Sequence, residues 1–219
     1  MPVNKEAYHQ LIAELQQKKV SLVAVSKTIP AEDIKELYDL GQRDFGENYV
    51  QELVNKAAVL PGDIRWHFIG HLQTNKVRSI VPFVQLIHGV DSLKLLKEIN
   101  KQGERFGRII DCLLQVYIAQ EETKFGLDEM ELNELLNQFN SLEMLNVRII
   151  GLMGMASFSP DMVKIENEFS NLKKFFDKLA TANSTFTTLS MGMSSDCKIA
   201  INEGSTMVRI GSLLFGERN

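Results

Sequence analysis

The chain has 219 residues, of which 44% are hydrophobic, and this composition suits a single domain with a large core. The formal net charge at pH 7 is −4, and acidic and basic residues are interspersed. Because there is no basic stripe, we do not expect nucleic acid as a partner. The two cysteines form no CxxC pattern, no signal peptide is recognisable, and no apolar stretch approaches the roughly 20 residues that span a bilayer. We therefore expect a cytoplasmic protein that is not inserted in a membrane.

Short β-type runs alternate with helix-type segments along the whole chain. An amphipathic helix is predicted first, over residues 5–19. Eight strands are predicted after it, over residues 21–26, 44–46, 66–69, 86–90, 111–118, 148–153, 185–190 and 208–211. Longer helices are predicted between them, over residues 30–40, 49–60, 92–101, 128–145 and 160–180, and the third of these is expected to stop near Gly103.

The strand pattern favours a parallel sheet closed into a barrel. Residues 22–25 and 112–114 are continuous apolar runs, which are typical of strands buried on both faces. Eight β/α alternations in a chain of this length predict an α/β fold, a (β/α)8 TIM barrel over residues 1–219 with an extra N-terminal helix. A doubly wound open sheet is the alternative, but no GxGxxG motif follows the first strand.

Lys27 follows the apolar run at residues 22–25, so it stands at the C-terminal end of the first predicted strand. In a (β/α)8 barrel the active site lies at that end of the strands. Partial removal from water favours the neutral amine, which can attack an aldehyde. Taken alone, Lys27 is more simply explained as a lysine that extends its amine into solvent.

Two segments near the C-terminus have the composition of phosphate-binding loops. In residues 190–196, Gly192 permits close backbone approach and Ser194 offers a hydroxyl ahead of a short helix. In residues 209–212, Gly211 and Ser212 offer the same combination. Barrels often bind phosphate between the loops after strands seven and eight, so the two segments together predict a phosphate site. An ordinary helix cap is the alternative for the first segment.

Three further side chains could contact a ligand. Arg209 is a cation within an apolar strand, and a buried arginine needs partners, which a cofactor or an ion pair could supply. Asn48 ends the second strand, where it could bind a ligand or cap the next helix. His67 and His71 are four residues apart, but the segment starts in a strand and crosses Gly70, so we predict no metal site there. His67 is alternatively a hydrogen-bonded histidine below the barrel mouth.

Several motifs together resemble one known family over nearly the whole chain. They are residues 24–28 (AVSKT), 45–52 (FGENYVQE), 66–76 (WHFIGHLQTNK), 151–153 (GLM), 189–194 (LSMGMS), 208–211 (VRIG) and 215–216 (FG). In this order they are similar to the YggS/PROSC family of pyridoxal phosphate homeostasis proteins.

The resemblance implies a barrel similar to the N-terminal domain of alanine racemase, with pyridoxal 5′-phosphate as cofactor. It implies that Lys27 forms a Schiff base with the cofactor and that Arg209 lies beside the pyridine nitrogen. The other residues implied to lie at the phosphate or near the cofactor are Asn48, His67, Met193, Ser194, Gly211 and Ser212. Position 212 is often threonine in the family, and serine keeps the hydroxyl.

An arginine beside the pyridine nitrogen would keep that nitrogen unprotonated, which makes the ring a weak electron sink. Alanine racemases add a tyrosine base from a second domain. This sequence ends at Asn219, and its four tyrosines fall in the barrel region without a racemase motif. We therefore expect a monomer without catalytic activity that holds pyridoxal phosphate, with pyridoxal-phosphate-dependent apoenzymes as candidate recipients. The alternatives are a racemase of narrow substrate range that uses the same cofactor, or a barrel that binds another phosphorylated metabolite.

Overall fold

A computed structural model describes residues 3–119 and 126–216 of the chain. Eight parallel strands close into a barrel in chain order, which confirms the predicted (β/α)8 fold. The strands are β1 (Ser21–Val25), β2 (Asp44–Glu47), β3 (Arg65–Phe68), β4 (Val84–Val90), β5 (Ile110–Val116), β6 (Val147–Gly154), β7 (Thr188–Ser190) and β8 (Met207–Ile210). The barrel closes where β1 pairs with β8, with Val23 opposite Arg209.

Helices on the outside alternate with the strands. They are α1 (Lys5–Lys18), α2 (Ala31–Asp39), α3 (Val50–Val59), α4 (Val77–Ile80), α5 (Leu93–Phe106), α6 (Glu129–Asn140), α7 (Met162–Ala182), α8 (Cys197–Asn202) and α9 (Ser212–Phe215), with a 3₁₀ turn at Thr74–Lys76. Within the described ranges, no helix is long and apolar enough to cross a membrane.

The core has two layers because successive strand side chains point to opposite faces. The larger layer lies between the strands and the helices and contains Ile87, Cys112 and Leu152. Their neighbours in the sequence Leu86, Leu113 and Met153 form a separate cluster, on the face that points into the barrel.

Three predicted boundaries were wrong. Helix α5 passes Gly103, where a Cβ atom would lie 2.6 Å from the carbonyl oxygen of Asn146, and ends at Gly107, whose φ of +63° is left-handed. Helix α6 ends at Asn140 instead of residue 145 because the N–H group of Ser141 closes the last turn and its hydroxyl donates to a carbonyl of that turn. Strand β7 begins at Thr188, three residues later than predicted.

Candidate functional site

A cavity of about 710 Å³ opens at the C-terminal ends of the strands. Lys27, two residues after β1, and Arg209, in β8, both line it. The remaining lining residues are Val25, Asn48, Ile69, Met155, Phe158, Met193, Ser194, Ser195, Gly211 and Ser212. Seven of the eight site residues predicted from the sequence therefore share one cavity, although their roles toward a ligand stay predictions.

The two phosphate-type loops touch each other at this cavity. The N–H group of Gly211 donates to Ser194 Oγ at 3.3 Å. The N–H group of Met193 donates to Asp196 Oδ1 at 2.5 Å, which holds the first loop in a tight turn. Hydroxyls and backbone N–H groups from two strand ends are thus gathered at one wall of the cavity.

Gly192 fits this turn for a reason different from the predicted one. Its φ of +97° is left-handed, and an added Cβ atom would lie 2.6 Å from the Cβ atom of Ala200 in α8. The close approach that Gly192 permits is therefore between the loop and helix α8.

Arg209 is a buried cation at the cavity wall, with 4% of its surface exposed. Its guanidinium donates from Nη1 to Ser190 Oγ at 2.6 Å and from Nη2 to the carbonyl oxygen of Gly154 at 3.0 Å. Burial lowers the pKa of Arg209 to about 10, partly offset by Asp196, so the side chain stays protonated at neutral pH. Among the described residues, its hydrogen-bond acceptors are this hydroxyl and this carbonyl oxygen, and neither is a carboxylate.

His67 is the one predicted site residue that does not line the cavity. It lies below the mouth, where Nδ1 is 2.9 Å from His88 Nε2 and Nε2 is 3.0 Å from Asp44 Oδ1. His88 Nδ1 in turn lies 3.1 Å from Ser190 Oγ, the acceptor of Arg209. His67 is thus linked to the cavity wall through His88, which sequence reasoning missed. A histidine inside the apolar run of β4 was the available signal.

A buried ionic cluster holds the segment that carries Lys27. Lys56 Nζ donates to Glu47 Oε1 at 2.8 Å, to Glu52 Oε1 at 2.7 Å and to the carbonyl oxygen of Ser26 at 2.6 Å. Burial raises the pKa of Glu47, and the charge of Lys56 opposes that rise. Thr28, with a left-handed φ of 63°, donates its N–H to Glu52 Oε1 at 2.5 Å.

Because Ser26 and Thr28 flank Lys27, this cluster fixes the backbone on both sides of the lysine. Ser26 is also bound through its side chain, since its hydroxyl donates to Glu47 Oε1 at 2.6 Å. Sequence reasoning missed Lys56 because its partners are distributed over three segments.

Asn48 does not cap the following helix. Tyr49 occupies the N-cap position of α3, and no side chain caps that end. Asn48 lines both the main cavity and a neighbouring one of about 600 Å³ that also contacts His71. Among the residues described, no group of three or more His, Cys, Asp or Glu side chains could hold a metal ion.

Fold and cavity together define a barrel of the alanine racemase N-terminal type, and residues 3–219 match the model of the family "Alanine racemase, N-terminal domain". A pyridoxal phosphate homeostasis protein of Aquifex aeolicus is 42% identical over 199 residues, which cover 90% of this chain and 86% of the relative. The human protein of the same name is 40% identical over 211 residues, or 90% of this chain and 76% of the relative. The chain therefore belongs to the family of pyridoxal phosphate homeostasis proteins.

Solved structures agree with this assignment. PipY of Synechococcus elongatus, solved without PLP, is 38% identical with a TM-score of 0.90 and covers 96% of this chain and 99% of its own. The structure of PipY with PLP bound has a TM-score of 0.84 and covers 94% and 98%. An alanine racemase of Clostridium difficile shares the fold at 15% identity and a TM-score of 0.75, and the match covers 59% of its chain.

Proposed function

We propose that this protein binds pyridoxal 5′-phosphate in the 710 Å³ cavity, holds it as a Schiff base on Lys27, and takes part in pyridoxal phosphate homeostasis without catalysing a reaction of its own. The observation that carries the proposal is that Lys27 lines the same cavity as Arg209 and the two serine-containing loops. The relative PipY, solved with PLP bound, supports the choice of cofactor.

The donor set of the cavity fits this cofactor. The hydroxyls of Ser194, Ser195 and Ser212, which line the cavity, offer donors for a phosphate group. Val25, Ile69 and Met155 offer apolar surface for a flat ring. Arg209 offers N–H groups to an acceptor on the ring edge, because a guanidinium can only donate.

Bound pyridoxal phosphate supplies an aldehyde, with which an amine condenses reversibly to a Schiff base and water. The role of Lys27 is to present its neutral amine to that carbon. The cluster of Glu47, Lys56 and Glu52 supports this role because it fixes the backbone on both sides of Lys27. Reversible condensation suits a protein that stores and releases the cofactor.

The titratable groups of the cavity support a holding role over a catalytic one. Among its described lining residues, only Lys27 and Arg209 are titratable. Lys27 is engaged by the cofactor, and Arg209, with a pKa of about 10, is protonated at neutral pH. Neither can therefore serve as a second base. Racemisation requires proton transfer on both faces of the substrate carbon, so a second acid or base is needed.

The binding test uses the purified protein incubated with pyridoxal phosphate. We expect an absorbance band at the border of the visible and ultraviolet ranges, fixation of the cofactor by borohydride, and a modified peptide that contains Lys27. Lys27→Ala should lose the band and the modification, whereas the control Lys76→Ala, at an exposed lysine, should keep both. An unchanged spectrum and fixation in Lys27→Ala would refute the Schiff-base assignment.

The homeostatic role needs a separate test. The loaded protein should restore activity to a pyridoxal-phosphate-dependent apoenzyme, and light scattering should give the mass of a monomer. A chiral assay of an amino-acid panel should show no racemisation above background. Rapid racemisation that disappears in Lys27→Ala would favour the racemase alternative.

A further inference from the structure

A chain of hydrogen bonds crosses the barrel interior behind the cavity wall. It runs from Asp44 on β2 through His67 on β3, His88 on β4 and Ser190 on β7 to Arg209 on β8, with contacts of 3.0, 2.9, 3.1 and 2.6 Å. We call these five residues the relay. Its three central members are 2% exposed or less, so water does not substitute for their contacts.

The two ends of the relay can each take only one role. Arg209 is a guanidinium and can only donate, so Ser190 Oγ accepts from it. Asp44 is a carboxylate, since hydrogen bonds from Arg65 and His67 outweigh burial and lower its pKa to about 2. Asp44 therefore accepts from Nε2–H of His67.

These ends determine the direction of the middle contacts when both imidazoles are neutral. With its single hydrogen on Nε2, His67 accepts at Nδ1, so His88 donates from Nε2. His88 then accepts at Nδ1, and the hydroxyl of Ser190 is its donor. Each contact in the relay then has one donor and one acceptor, and the hydroxyl hydrogen of Ser190 points away from Arg209.

An extra proton on His67 would reverse the middle of the relay. His67 would donate at both nitrogens, and Nδ1–H of His88 would point at Ser190 Oγ, which already accepts from Arg209. Asp44, which already pairs with Arg65 through both oxygens, would partly balance the new charge, so the two donors that converge on Ser190 Oγ are what oppose the extra proton. Burial, together with the nearby charge of Arg209, holds the pKa of His88 well below its usual value, so His88 itself stays neutral.

We propose that His88, itself held by His67 and Asp44, is a positioning residue for Arg209. At neutral pH both imidazoles are neutral Nε2–H tautomers, and Nδ1 of His88 accepts a hydrogen bond from the hydroxyl of Ser190. The relay directs the hydroxyl hydrogen of Ser190 to His88, so Ser190 Oγ presents a lone pair to Arg209 and fixes the guanidinium at the cavity wall. The relay thus adds a fixed position for the guanidinium that meets the ring-edge acceptor of the ligand. The effect on ligand binding rests on the proposed function, whereas the tautomers do not.

The tautomers can be measured in the ligand-free protein by ¹⁵N NMR of the imidazoles. The chain contains four histidines, and single replacements of His9 and His71 assign the remaining pair. At pH 7 we expect His67 and His88 as neutral Nε2–H tautomers. An Nδ1–H tautomer of His88, or an imidazolium at His67, would overturn the proposal without reference to any ligand.

A matched pair of variants tests the positioning role. In His88→Asn the amide oxygen can occupy the place of Nδ1 and accept from Ser190, whereas in His88→Gln the amide reaches the place of Nε2 and contacts only His67. We expect His88→Gln to bind pyridoxal phosphate about tenfold more weakly, as for the loss of one charge-linked hydrogen bond, and His88→Asn to stay within about threefold of wild type. His71→Gln, at a half-exposed side chain, is the control.

Equal weakening of both His88 variants would assign His88 a packing role only, and unchanged binding in both would remove it from the site; either result overturns the proposal. Thermal unfolding shows whether both variants fold, and the NMR measurement decides if one does not. If the wild-type protein forms no absorbance band with pyridoxal phosphate, the proposed function fails while the tautomer measurement still stands.

Discussion

Lys56→Met tests the buried cluster beside Lys27. The side chain of Lys56 is 8% exposed and that of its partner Glu47 is 0% exposed, and Glu47 Oε2 has no hydrogen-bond partner among the described residues. Methionine keeps the apolar stem and removes the three hydrogen bonds that Nζ donates. Among the side chains that the structure describes, Glu47 would then be a buried carboxylate supported by the hydroxyl of Ser26 alone.

The expected loss of stability has an upper limit that can be calculated. Breaking a buried ion pair costs about 3–5 kcal/mol when the remaining charge stays ionised. Glu47 can instead become neutral by binding a proton. With an unfolded pKa of about 4.3, keeping a glutamic acid protonated at pH 7 costs roughly 3–4 kcal/mol. We therefore expect a loss of about 3 kcal/mol at pH 7.

The pH dependence separates this mechanism from simple loss of packing. In the variant the folded pKa of Glu47 lies above the unfolded pKa, so folding takes up a proton and stability falls as pH rises between the two values. Protonation of Glu47 costs only about 1 kcal/mol at pH 5. The loss in free energy of unfolding relative to wild type should therefore be about 2 kcal/mol smaller at pH 5 than at pH 7.

Urea unfolding at both pH values measures the effect. Lys35→Met is the control, because Lys35 and Asp39 form an exposed pair whose loss should cost about 0.5 kcal/mol or less at either pH. A loss below about 1 kcal/mol for Lys56→Met at pH 7, or a loss that is the same at pH 5, would refute the reasoning.

Two further predictions concern stability. Hydrogen bonds from Arg65 and His67 outweigh burial and lower the pKa of Asp44 from 3.8 to about 2. Asp44 therefore contributes stability above about pH 4 that is lost as pH falls toward 2. After allowance for partial exposure, the free energy of unfolding should fall by about 1–2 kcal/mol less in Asp44→Asn than in wild type over an acid titration. Gly192→Ala should cost about 2–4 kcal/mol in urea unfolding, because left-handed strain adds to the contact with Ala200. Gly41→Ala, with φ +108° and open space around the new Cβ atom, should cost only about 1 kcal/mol, and equal costs would contradict the steric argument.

The strands could be predicted because burial on both faces leaves a local signature. An apolar run such as residues 22–25 needs no distant information to identify it. The ends of elements depend on contacts that are distant in sequence. Gly103 resembles a helix stop, but it lies inside α5 because the chain before β6 packs against it.

The part of the candidate site that lies at the ends of strands could be predicted from the sequence. Lys27 and Ser212 directly follow predicted strands and Arg209 lies within the last one, and barrel closure brings such positions to one rim. The supporting polar groups were not predictable, since the contact of His88 with Ser190 spans 102 residues. Their only local signal is a polar residue within an apolar segment, and such a signal does not name its partner.

The two basic side chains of the cavity argue for a ligand that carries a phosphate and an electrophile. Lys27 follows β1 and Arg209 lies in β8, which pairs with β1, and both line a cavity whose described lining residues include no carboxylate. Each is held from behind by a different buried polar assembly, the cluster of Lys56 and the relay of His88. Buried polar assemblies of this kind add little net stability compared with apolar packing, so their structural effect here is to fix positions. A fixed amine and a fixed guanidinium beside two hydroxyl-bearing loops therefore favour such a ligand, and the proposed cofactor is one.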